Sequence, residues 1–155
     1  MTGNESGKLE SSVRGILDAK GGDVFTTAQE TLVSDAVREM NENGVGSLLV
    51  VSGDRPVGIF TERDVLKKLV GEGLDPHETP VSRVMSTNLI VVSPGTSIGE
   101  AMAVVTLKRC RHLPVMERGK LVGLVSSGDL TNWLTKAQEI HIKDLTDYIL
   151  GNYPN

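Results

Sequence analysis

Two seven-residue segments carry the side chains best suited to chemistry. Gly58-Ile59-Phe60-Thr61-Glu62-Arg63-Asp64 and Gly123-Leu124-Val125-Ser126-Ser127-Gly128-Asp129 share one pattern. Each is a glycine, two apolar residues, a hydroxyl residue, two variable positions, then aspartate. An apolar strand would feed directly into a helix at Thr61 and at Ser126. The hydroxyl then lies at a helix N-terminus, where free backbone N–H groups and the helix dipole favour an anion such as phosphate. The aspartate follows three residues later and shares that side of the helix. An ionised carboxylate accepts two hydrogen bonds, which suits the paired hydroxyls of a ribose. A hydroxyl for phosphate and an acid for ribose together describe a nucleotide. Thr-x-x-Asp is also an ordinary capping arrangement. The weight of the reading rests on there being two such segments.

Both segments belong to an internal repeat. A shift of 65 residues lays Thr31–Val65 over Thr96–Leu130 without a gap and carries Asp64 onto Asp129. Leu48-Leu49-Val50-Val51 falls on Leu113-Pro114-Val115-Met116. Upstream, the first copy has a short insertion, Lys20-Gly21-Gly22. Two copies of one supersecondary unit can cover each other's apolar faces. In each copy the elements read alike. Val24-Phe25-Thr26-Thr27 and Leu89-Ile90-Val91-Val92 are short strands. Thr31 and Thr96 stand where helix caps would go. Leu32, Ala36, Val37 and Met40 share one helical face, and Ile98, Ala101, Met102 and Val105 another. Asn43-Gly44 has C-cap chemistry. Leu48–Val51 is a buried strand, Ser52–Arg55 and Glu117–Lys120 are hairpin turns, and Val57–Phe60 and Leu121–Val125 are the returns. Helices follow over Glu62–Val70 and Ser127–Lys136. Each copy is therefore predicted to be β-α-β-β-α, and the whole an α/β fold packed with pseudo-twofold symmetry. Ser12 caps a short helix through Val13, Ile16 and Leu17. Residues 1–11 read as a flexible tail and 71–79 as a linker. Residues 137–155 read as an amphipathic helical tail that either caps the core or makes a dimer contact.

Composition excludes several classes. A chain of 155 residues, 39% hydrophobic and 23% charged, suits one compact domain or two small ones sharing a core. The 16 basic residues against 20 acidic ones give net −4, which argues against a nucleic-acid footprint. The basic tract Lys108–His112 is short and lacks interleaved aromatic residues. A single cysteine, Cys110, excludes an internal disulfide framework and a Cys-rich zinc site. His77, His112 and His141 are too widely spaced for a local metal motif. No apolar run reaches the ~20 residues of a membrane helix. The first residues show no basic region followed by an apolar core, so no secretory signal is expected. A cytoplasmic protein without membrane contact is the expectation. Catalysis has little support: Ser126 and Ser127 lack a neighbouring His-Asp pair, and neither a Gly-x-x-x-x-Gly-Lys-Ser/Thr loop nor a Gly-x-Gly-x-x-Gly fingerprint is present. No enzyme activity, catalytic cofactor or metal is expected.

The two Gly-apolar-apolar-Thr/Ser-x-x-Asp segments resemble those of tandem cystathionine-β-synthase (CBS) domains, the Bateman module. Arg111-His112-Leu113-Pro114-Val115 before the second hairpin and Val84-Met85-Ser86-Thr87 opening the second copy add to the likeness. It covers about residues 13–135 and is similar to small stand-alone CBS-pair proteins. The domains would be 12–70 and 80–136. The resemblance implies two clefts between the copies that bind adenosine-containing ligands: AMP, ADP or ATP, with NAD and S-adenosylmethionine as alternatives. One cleft would hold Thr61, Arg63 and Asp64, with Arg111, His112 and Pro114 from the other copy and Leu89 and Ile90 against the base. The second would hold Ser126 and Asp129, with Gly46 and Ser47, and Val24 and Phe25 against the base. The first, with Arg63, Arg111 and His112, is expected to take the more highly charged ligand. The resemblance further implies a regulatory role, a flat homodimer and a protein partner. Two other readings stay open: a ligand-independent interaction module with vestigial clefts, and a nucleic-acid binder using Arg109 and Arg111.

Overall fold

The computed structural model describes residues 11–136 and 149–151. The predicted tail over 1–11, Ser11 apart, and most of the predicted tail over 137–155 lie outside the described residues. In chain order the elements are α1 (Val13–Lys20), β1 (Thr26–Ala28), α2 (Val33–Asn43), β2 (Ser47–Ser52) and β3 (Arg55–Thr61). Then come α3 (Glu62–Asp64, wound on as a π-helical turn over Val65–Val70), α4 (Val81–Val84), α5 (Ile98–Lys108), β4 (His112–Glu117) and β5 (Lys120–Ser126). Residues 127–136 form α6. The α/β repeat is as the sequence implies. The linker expected over 71–79 is still helical at 71 and 72.

The repeat is visible in strand register. β2 and β3 pair antiparallel with Ser47 opposite Thr61, and β4 and β5 with His112 opposite Ser126. Both ladders slip at the same point, between Val50 and Val51 and between Val115 and Met116. Arg118 and Gly119 both have positive φ, 52° and 76°, as a two-residue hairpin turn matched to strand twist requires.

The first strands differ between copies. β1 begins two residues later than expected and runs parallel to β2, with the Leu49 N–H donating to the Phe25 carbonyl at 3.0 Å. In the second copy the predicted strand Leu89–Val92 is reduced to a single bridge between Val92 and Val115. The residue equivalent to Leu49 is Pro114, which has no N–H to donate, so the ladder cannot begin at Ile90. The predicted caps are also one residue early. Leu32 and Ser97 hold the N-cap positions, and the Ser97 hydroxyl accepts from the Glu100 N–H at 3.0 Å. The Thr96 hydroxyl instead accepts from the Ser93 N–H.

Each copy builds its own core, but the copies exchange their first helices. Val33, Ala36, Met40, Leu48, Val50, Phe60 and Leu69 are joined by Val81 and Val84 of α4. Ile98, Ala101, Leu113, Val115, Val125 and Leu130 are joined by Val13 and Ile16 of α1, from the far end of the chain. The motif glycines make this exchange possible. A Cβ on Gly58 would lie 2.5 Å from Met85 Sδ and 3.0 Å from the Ser86 carbonyl, and one on Gly123 would collide with the Leu17 side chain. The apolar segment from the other copy therefore lies directly on strand backbone at both sites.

Candidate functional site

Thr61 ends β3 and starts α3 with a reciprocal cap. Its hydroxyl accepts from the Asp64 N–H at 3.4 Å, while Asp64 Oδ2 accepts from the Thr61 N–H at 3.0 Å. The capping reading and the site reading thus fall on the same atoms. Asp64 is buried, and its other oxygen, Oδ1, lies 3.4 Å from Lys68 Nζ, one helical turn on. Lys68 Nζ also donates to the Val84 carbonyl at 2.8 Å.

A cavity of about 630 Å³ opens beside this cap. The first copy supplies Gly46, Ser47, Ile59, Thr61, Glu62, Arg63, Asp64, Lys67 and Lys68. The second supplies Ser86, Asn88, Arg109, Arg111 and His112. Five cationic side chains face two carboxylates in a chain whose net charge is −4. Burial, reinforced by the Arg111 guanidinium, holds the His112 imidazole below its ordinary pKa, against the opposing pull of Asp129 and Asp64. The imidazole is thus biased to its neutral form.

Arg109 has an unusual position. It ends α5 in the left-handed region, φ 51° and ψ 37°, where the first copy uses Gly44. The Asn88 side-chain amide donates to the Lys108 and Arg109 carbonyls, both at 3.1 Å, closing the end of α5. The Cys110 thiol donates to the Asn88 carbonyl. Residues 88 and 108–110 are thereby clasped at the cavity wall.

The structure brings Thr61, Arg63, Asp64, Arg111 and His112 together, as grouped from the sequence. It separates the second group. Gly46 and Ser47 line the Asp64 cavity, because Ser47 sits opposite Thr61 and the Glu62 N–H donates to the Gly46 carbonyl. Ser126 and Asp129 repeat the cap, with bonds of 2.9 and 3.1 Å. Asp129 lines a separate recess of about 150 Å³ with Lys20 and Trp133. Lys20 Nζ lies 2.7 Å from Asp129 Oδ2 and donates to the Leu124 carbonyl at 2.9 Å. Burial pushes the Asp129 carboxyl up, but the Lys20 bond and the Ser126 N–H outweigh it and hold the group below its ordinary pKa.

The residues proposed to flank a base, and Pro114 of the first cleft, do not line either cavity. Ile90 packs against the second core, Pro114 is buried in β4, Leu89 and Val24 are half-buried, and Phe25 is 40% exposed. The sequence reading had not placed Lys67, Lys68, Asn88 or Arg109 in the site. Lys68 was readable four residues after Asp64 on one helix face. Asn88 and Arg109 arrive through tertiary folding.

The family profile for the CBS domain matches residues 16–71 and 81–136. The chain belongs to the CBS-domain family as a tandem pair. It is 33% identical to the mitochondrial CBS domain-containing protein CBSX3 of Arabidopsis thaliana, over 96% of this chain and 77% of that protein. It is 34% identical to CBS domain-containing protein YhcV of Bacillus subtilis, over 69% of this chain and 76% of that one. A solved CBS-domain protein from Burkholderia ambifaria superposes with a TM-score of 0.72 at 42% identity, covering 79% of this chain and 93% of that one. Among the described residues no helix is long and apolar enough to cross a membrane.

Proposed function

We propose that this CBS pair is a regulatory, non-catalytic module that binds an adenosine-containing nucleotide in the Asp64 cavity and passes the bound state to a protein partner. The observation that carries the reading is the cavity itself: five cations beside a capped hydroxyl–carboxylate pair. The cations suit phosphates, and the Asp64 carboxylate, whose Oδ1 faces Lys68 at 3.4 Å, suits ribose hydroxyls. AMP, ADP or ATP fits this charge; NAD and S-adenosylmethionine are the alternatives. Arg109, Arg111 and His112 of the basic tract line this concave site, which fits a compact anion better than a duplex backbone.

The mechanism is differential binding. Thr61 to Lys68 belong to one copy and Asn88 to His112 to the other, so a ligand held by both favours the arrangement in which they fit it together. Exposed Leu66, Val70 and Leu107 on α3 and α5 are the surface we assign to a homodimer, read by light scattering as twice 16.6 kDa.

Thermal shift and calorimetry on the whole chain test the proposal, with AMP, ADP, ATP, NADH, S-adenosylmethionine and GTP. A ligand at 100 times its Kd adds about 2.7 kcal/mol, a shift of several degrees. Adenosine compounds are expected to raise Tm, and Asp64→Ala to abolish the rise. No shift with any of them, from folded protein free of ligand, overturns the reading in favour of an interaction module.

A further inference from the structure

We propose that Lys20 closes the second cleft, making the two nucleotide sites of this chain unequal by an internal plug. The inference rests on the nucleotide reading above and deepens it. Pseudo-symmetry shows what Lys20 replaces. Ser12 bridges Ser97 ahead of α5 as Pro80 bridges Leu32 ahead of α2. Leu17 lies on Gly123 as Met85 lies on Gly58. Counting on from these pairs, Lys20 stands where the other half has Asn88.

The two residues act oppositely. Asn88 donates its amide to the carbonyls of Lys108 and Arg109. Lys20 reaches the Asp129 carboxylate at 2.7 Å and the Leu124 carbonyl at 2.9 Å. The oxygen it contacts, Oδ2, already accepts from the Ser126 N–H.

The glycines that follow this lysine fix its approach to the second copy. Gly21 ends α1 with φ 91°, and Gly22 runs so close to β5 that a Cβ would lie 2.7 Å from the Val122 carbonyl. Position by position, Gly128 and Asn132 stand where the open cavity has Arg63 and Lys67. The second cleft therefore has its ribose-type acid held by Lys20 at 2.7 Å, against 3.4 Å for Lys68 on Asp64, and has Lys20 and Lys136 where the open cavity has five cations.

Adenosine, which carries ribose but no phosphate, separates the plug from a phosphate-binding lysine. Equilibrium dialysis and calorimetry of wild type, Lys20→Ala and Lys20→Gln would be run with adenosine and with ATP, with folding checked by thermal melting. Wild type is expected to bind one ligand per chain in the accessible range. Both variants are expected to gain a second adenosine site, tightened up to about fivefold, the worth of an exposed ion pair. The double variant Lys20→Ala/Asp129→Ala is expected to lose it again. Two equal adenosine sites in wild type, or one site in all three proteins, overturns the inference while leaving the nucleotide reading intact. Weaker ATP binding in Lys20→Ala with no gain for adenosine overturns it in favour of a phosphate-binding lysine. No binding of either ligand to any protein overturns the nucleotide reading and this inference with it.

Discussion

Arg109→Gly should stabilise the protein and weaken it as a ligand binder. An L-residue held in the left-handed region costs about 1–2 kcal/mol, and Arg109 is held there with φ 51°. Glycine removes that cost but adds about 0.4–1 kcal/mol of unfolded-state entropy. The Asn88 bonds to the carbonyls of residues 108 and 109 are made to backbone and survive the change. The net gain is between about 0 and 1.6 kcal/mol, with a midpoint near 0.8 kcal/mol, or roughly 2–3 °C in Tm for a chain of this size. The same change deletes one of the five cations lining the cavity. Arg109 is exposed, so its attraction for a phosphate is screened, and a loss of about fivefold in ATP affinity is the scale to expect. The assay pairs a thermal melt without ligand with an ATP titration at fixed salt. A variant that melts lower than wild type would refute the strain argument. Unchanged ATP affinity would refute the placement of Arg109 in the site. Strain at a binding residue where the other copy uses Gly44 is the observation that motivates both.

Three further outcomes follow from the same geometry. Gly58→Ala must displace Met85 and the Ser86 carbonyl, an overpacking cost of about 1–3 kcal/mol. It should also weaken ATP binding, because Ser86 and Asn88 line the cavity. Gly123→Ala meets only the Leu17 side chain and should destabilise less, so urea unfolding that ranks the two the other way counts against the exchanged packing. Asp64→Ala removes the return half of the capping box, the Thr61 N–H bond to Asp64 Oδ2, as well as the proposed ribose acceptor, and should lower stability by about 1 kcal/mol besides abolishing the ligand response; a stability loss with ATP affinity intact would reduce Asp64 to a cap. His112, with its pKa held below 6.5, contributes fully above that value. Its contribution falls as pH drops from 6.5 through the folded-state pKa, because the unfolded chain then binds the proton more readily. Urea unfolding at pH 7.5, 6.5 and 5.5 should show a shallower pH slope for His112→Gln; parallel slopes would disprove it.

What was legible in the sequence was local chemistry. The hairpins, the Gly44 C-cap and the Thr61 and Ser126 caps each depend on residues within a few positions of one another, and the 65-residue shift doubled every signal. The lost strand of the second copy was also on the page, since Pro114 lacks the N–H that Leu49 uses, but it takes the ladder partner to make that matter. The misplaced residues needed tertiary information. Gly46 and Ser47 were assigned across the copies, whereas β2–β3 pairing fixes Ser47 beside Thr61. The amphipathic pattern of Val13, Ile16 and Leu17 says that one face is buried without saying by which copy. Lys20 looked like an inserted loop residue because its partner lies more than 100 positions away.

The exchanged helices and the cavity belong to one mechanical arrangement. Val81 and Val84 complete the first core, and Met85 and Ser86 lie on Gly58 at the start of the motif strand. Two residues later Asn88 clasps the end of α5, fixing Arg109 and leading to Arg111 and His112. The segment that completes one copy therefore positions the cations of the other. A ligand that draws Arg109 and Arg111 toward Thr61 and Asp64 acts through this short, hydrogen-bonded connection rather than through a flexible linker. On the other side, α1 completes the second core and ends in Lys20, which is spent on Asp129. The same exchange thus gives one half a cationic cavity and the other a smaller recess in which Lys20 pairs with Asp129. Near-symmetric backbone thus carries unequal side chains at Asp64 and Asp129.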